Sequence, residues 1–224
     1  MYFFPVETQE ARIIERPGLG RFLAQEGAWL FAALALTVMT ATMLTVLGGR
    51  WASLAPAAAL LGLHAFVGLY VLQADLPKLP AWFRVDRRAL GWGLGGGAAL
   101  LAFNVVYGLV LEAFGIVLPD VAEMLRGLLP EPALIAWAAM LAPVVEEMYF
   151  RGRLIDELTP RIGPRWASAI SALGFAAIHG IPAFVPAYIV FAFVLLALRR
   201  KTGGLMAPIL AHAINNAAAL VVPS

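Results

Sequence analysis

Long apolar runs govern what this chain can become. They lie at about Gly27 to Leu47, Leu54 to Leu72, Leu90 to Phe114, Ala133 to Phe150, Trp166 to His179, Ala183 to Leu198 and Gly204 to Val222. About 20 apolar residues cross the hydrocarbon of a bilayer as a helix. Inside lipid a helix also satisfies its own backbone polar groups. The fifth and sixth runs are short, at 14 and 16 residues, and Gly180 and Pro182 break the chain between them. Composition agrees: of 224 residues, 62% are hydrophobic and 13% charged, against roughly a half and a quarter in soluble domains. The expected fold is all-α, a polytopic transmembrane helix bundle of about seven spans, with eight as the alternative. A short arm over 1–26 precedes a single helical membrane domain over 27–222.

The arm mixes Glu7, Glu10, Glu15 and Glu26 with Arg12, Arg16 and Arg21, unlike the basic start of a signal peptide. Outside the apolar runs, Lys and Arg number 3, 1, 4, 1, 4, 0, 3 and 0 in successive segments, which accounts for all 16. That alternation puts the amino terminus in the cytosol and the carboxyl terminus outside. The net charge of +2 gives no reason to expect nucleic acid. The lack of cysteine removes disulfides, thiolate metal ligands and thiol nucleophiles.

An ionisable side chain within a span costs at least ~2.5 kcal/mol and marks function by default. Such residues cluster: Glu146, Glu147 and Arg151 at the end of the fourth run, His179 in the fifth, His212 and Asn216 in the seventh. Glu147 and Arg151, four apart, share a helix face, and Glu146 is turned about 100° away. Glu147 is placed to stay ionised beside Arg151, which leaves Glu146 free to act as a general base; one ion-pair network locking the helices is the competing reading. His212 and Asn216 share a face, so both could donate to one oxygen, as in an oxyanion hole. Phe175 stands four before His179 and can pack on its ring. Each histidine taken singly also reads as a satisfied interhelical hydrogen bond, and His64, alone in the second span, is read that way. At ~1.5 Å per residue from the cytosolic helix ends, Glu146, His179, His212 and Asn216 lie about 18, 20, 14 and 20 Å deep, in one layer. Gly91, Gly93 and Gly96 spell a dinucleotide fingerprint, but inside an apolar run they read as close helix packing.

Several hydrolytic chemistries lack their residues. No HExxH is present, Asp75, Asp86, Asp120 and Asp156 all lie at or outside span ends, and Ser168 and Ser171 have no GxSxG context. What remains is Glu146-Glu147 with Arg151, Phe175 with His179, and His212 with Asn216. These resemble the EExxxR, FxxxH and HxxxN motifs of the CPBP family, the type II CAAX prenyl endopeptidases and bacteriocin-processing or immunity proteins. Gly152 after Arg151 also fits the family pattern. The motif core is 133–222.

The resemblance implies a glutamate-dependent intramembrane endopeptidase acting on a membrane-associated or lipid-anchored protein or peptide. In it Glu146 and His179 activate water, His212 and Asn216 stabilise the oxyanion, and Glu147, Arg151 and Phe175 support them. No cofactor is required on this reading. The alternative is zinc or another divalent metal on Glu146, His179 and His212, since two histidines and a glutamate can form a three-ligand site with an open position. The short chain and small loops point to the cytoplasmic membrane of a prokaryote. A non-catalytic scaffold or immunity protein is the main competing function. A proton-coupled transporter is the other, and no internal repeat of the kind many transporters carry is visible.

Overall fold

A computed structural model describes residues 17–126, 128 and 131–221. Among them every regular element is helical. The main helices are α1 (Leu19–Leu47), α2 (Ala55–Asp75), α3 (Arg87–Ala113), α4 (Glu131–Ile178), α5 (Val185–Thr202) and α6 (Met206–Val221). Five stretches are long and apolar enough to cross a membrane: Leu19–Leu47, Ala55–Trp82, Arg87–Ala113, Glu131–Ile178 and Pro182–Thr202. The 48-residue α4 is two limbs, because Gly163 leaves the helical region at φ 80°, ψ 162° and Pro164 behind it has no N–H to donate. Each of the seven apolar runs overlaps one of these helices or limbs, and Val222, at the end of the last, lies outside the described residues.

Local chemistry sets the ends. Asp86 caps α3, its Oδ1 accepting the Ala89 N–H at 2.7 Å; that bond favours the ionised carboxylate and holds Asp86 below the usual range. Pro56 and Pro186 stand in the first turns of α2 and α5, where a missing N–H costs nothing. Gly180, at φ 65°, stops α4 just past His179.

Small residues let α3 lie against α5 and α6. A Cβ on Gly93, Gly96 or Gly97 would stand 2.9 Å from Leu210, 2.5 Å from Leu198 or 2.9 Å from Ile214. Gly93 and Gly96 thus serve the close packing expected of them, whereas Gly91 faces open space.

Two stretches of α4, Trp137–Leu141 and Glu147–Leu154, are wound as wider π-helical turns, a feature frequent at functional sites. The first limb runs on past Phe150, with Leu158 fully buried. The amino-terminal boundary differs from expectation. α1 begins at Leu19, and Phe22 and Glu26 are 2% and 4% exposed, because Tyr70 and Arg153 give Glu26 buried partners. Residues 1–16 of the expected arm lie outside the described residues.

Candidate active site

The two adjacent glutamates of α4 sit in different surroundings. Glu147 is fully buried, and its Oε1 accepts from Arg151 Nη1 at 2.9 Å and from His212 Nδ1 at 3.0 Å. Arg151, 1% exposed, lies over the Phe175 ring at 4.2 Å. A carboxylate and a guanidinium this deep persist because each neutralises the other. Glu146 has no arginine or lysine of its own. Its Oε1 contacts His64 Nε2 at 3.3 Å, and its Oε2 is buried without a hydrogen-bond partner, 3.8 Å from His212 Nε2. One glutamate is thus neutralised and the other presents a bare oxygen to imidazoles.

His212 is oriented from behind. Glu147 takes its Nδ1–H, and Phe191 and Phe175 stand edge-on to the ring at 4.9 and 5.8 Å. Its Nε2 is therefore the atom facing Glu146. His179 donates Nδ1–H to the Phe175 carbonyl at 2.7 Å, packs on Phe175 at 4.7 Å and stacks on Tyr188 at 4.1 Å. Its Nε2 is left free to accept, since the neutral ring carries one hydrogen. Among the described residues His179 makes no direct hydrogen bond to Glu146.

Asn216 is differently engaged from the expected joint donation with His212. Its Nδ2 donates to the Ala138 carbonyl at 3.0 Å. The π-helical turn explains why that carbonyl is available. Ala142 N–H reaches back five residues to Trp137 O; the next bond in that register would run from Pro143 to Ala138, and Pro143 has no N–H. The Asn216 amide keeps a second hydrogen.

The serines do structural work. Ser171 donates to the Phe150 carbonyl at 2.9 Å in the second π-helical stretch, and Ser168 donates to Pro164 and accepts from Arg200. Gly152, on the same stretch, is where a Cβ would meet the Trp82 ring at 2.8 Å.

His64 departs from its sequence reading. It is hydrogen-bonded, as expected, but one partner is Glu146. A depth estimate would have found it: eleven residues from Asp75 is about 16 Å, the level of Glu146. A second polar cluster also lay hidden. Arg153 binds Glu26 at 2.6 Å, Asp75 at 3.0 Å and the Tyr70 hydroxyl at 2.6 Å. Asp75, placed at a span end by the sequence, is 2% exposed.

Among the described residues no three His, Asp or Glu side chains are arranged to hold a metal ion. Residues 128–218 match the family described as Type II CAAX prenyl endopeptidase, Rce1-like. Comparison with curated proteins and with solved structures finds no match. By its apolar helices and this match the chain is an integral membrane protein whose 128–218 segment is similar to the Rce1-like, type II CAAX prenyl endopeptidases, the resemblance the three CPBP motifs carry.

Proposed function

We propose that the protein is a glutamate-dependent intramembrane endopeptidase that hydrolyses a peptide bond in a membrane-associated or lipid-anchored protein or peptide. The observation that carries this reading is the bare Oε2 of Glu146, buried 3.8 Å from His212 Nε2. An unpartnered buried carboxylate oxygen is costly, and a site that must take a proton from water has a use for it. Glu146 accepts that proton while His179 Nε2 orients the water. The water oxygen bonds to the carbonyl carbon, and the C=O pair moves onto oxygen. His212, its Nδ1–H held by Glu147, donates from Nε2 as imidazolium, and Asn216 offers its second amide hydrogen. The oxyanion pair then re-forms the C=O bond as the C–N bond breaks, and the departing amine takes the proton from Glu146. Such acid–base transfer is typically worth about 10²–10⁴-fold.

The reading includes seven crossings, obtained by dividing α4 at Gly163 and adding α6. The amino terminus is cytosolic and the membrane is the prokaryotic cytoplasmic one, supported by the alternating basic segments. No metal is assigned a step; zinc on Glu146, His179 and His212 is the alternative. The test is cleavage of a panel of membrane-anchored and farnesylated peptides by purified protein, wild type beside Glu146→Ala, with and without a strong zinc chelator. Cleavage lost in Glu146→Ala and indifferent to chelator is expected. Loss with chelator and restoration by zinc would make the histidines ligands. No cleavage of any peptide would favour the non-catalytic scaffold.

A further inference from the structure

We infer that His64 is the positioning residue of Glu146, fixing its carboxylate so that one oxygen faces His212. The inference rests on the reading of Glu146 as the base. It adds a residue from α2, a helix outside the 128–218 family match.

The ring of His64 is held at both nitrogens. Nδ1 lies 2.9 Å from the Leu60 carbonyl, an atom that only accepts, so Nδ1 carries a hydrogen. The Trp137 indole N–H is 3.4 Å from the same nitrogen, too long to compete, and the indole packs edge-on to the ring at 5.4 Å and 90°. Nε2 is thereby aimed at Glu146 Oε1, at 3.3 Å; with Nδ1–H spent on Leu60, the hydrogen donated along that contact makes the ring an imidazolium beside the carboxylate. A glutamate has three rotatable bonds before its carboxylate, and holding it in one orientation is what brings a base within reach of its proton. With Oε1 taken by His64, the geometry leaves Oε2 directed at His212. Glu147 needs no such residue because Arg151 and His212 already hold it.

A histidine that merely ties α2 to α4 would be satisfied by the Leu60 carbonyl and by packing on Trp137. Its removal would lower stability without touching turnover. Positioning predicts a different pattern on a farnesylated CAAX peptide and on a peptide carrying one apolar membrane anchor. His64→Leu should lower kcat at least tenfold with KM unchanged. His64→Gln, whose amide nitrogen can donate to Oε1, should recover most of the loss. A His64→Leu enzyme with wild-type kcat, or no recovery in a folded His64→Gln, would overturn the inference.

A second measurement needs no turnover. In protein labelled with ¹⁵N-histidine, the His64 signals are those lost in His64→Gln. Glu146→Gln should shift the Nε2 signal of His64 and leave its Nδ1 signal in place. An unmoved Nε2 would overturn the inference, whatever the peptides do. If wild type cleaves neither peptide, that failure falls on the proposed hydrolysis, and the nitrogen signals alone decide the contact with Glu146.

Discussion

Two clusters of buried charge share one turn of α4, separated by Gly152, and they differ in their partners. On one side Arg153 meets Glu26, Asp75 and Tyr70, with Lys78 adding a 2.6 Å pair to Asp75. All of those cations are permanently charged in the working pH range, and all three Arg153 nitrogens are engaged. On the other side Glu147 holds the guanidinium and both glutamates are completed by imidazoles, with Glu146 Oε2, Glu147 Oε2 and Arg151 Nη2 left without partners, against Glu26 Oε2 in the first cluster. Histidine can gain or lose a proton near neutral pH; arginine cannot. A cluster bound by Arg153 and Lys78 holds helices together. A cluster completed by imidazoles is suited to move protons.

The largest stability effect is expected at the buried pair itself. Arg151→Leu strands Glu147 as an unpaired charge and should cost about 3–5 kcal/mol. Combined with Glu147→Gln the loss should shrink, which denaturation in detergent can compare. A double variant no more stable than Arg151→Leu would break the account of mutual neutralisation. Arg153→Met strands buried Glu26 and Asp75 and belongs with Arg151→Leu, at about 3–5 kcal/mol. It should lower stability without changing KM.

Gly152→Ala comes next, since its Cβ would meet the rigid Trp82 ring at 2.8 Å. Overpacking of this kind costs about 1–3 kcal/mol, and thermal unfolding should report it.

Ser171→Ala leaves the Phe150 carbonyl unfilled and should cost roughly 1 kcal/mol with full turnover. A large loss of kcat in a stable Ser171→Ala protein would instead revive a serine mechanism.

The smallest effect is expected at Asp86, outside both clusters. Its carboxyl is held down by the Ala89 N–H, so its contribution is fully present above the unfolded value near 3.9 and is lost as pH falls through the lower folded one. Wild type should lose slightly more thermal stability on acidification to that range than Asp86→Ala does. Equal losses would remove the cap from the account.

The sequence was most legible where cost is highest. A charged residue in an apolar run is conspicuous, so Glu146, Glu147, Arg151, His179, His212 and Asn216 could be picked out by type and spacing. The Glu147–Arg151 pair follows from helical periodicity and is present at 2.9 Å. Contacts between helices were less legible, because periodicity gives a face and never says which neighbour it meets. So His64 looked solitary until α2 came against α4, and Arg153 looked like a cytosolic basic residue until Glu26 and Asp75 closed on it. Asn216 illustrates a third limit. Its bond to Ala138 depends on a π-helical register that becomes visible only beside the missing N–H of Pro143.

The most direct test of the contrast is peptide hydrolysis by Glu146→Gln and Arg153→Met, each compared with wild type at equal folded fraction. The account predicts that Glu146→Gln loses turnover by about 10²-fold or more while Arg153→Met keeps it. Wild-type turnover in Glu146→Gln, or an equal loss in both variants, would contradict it.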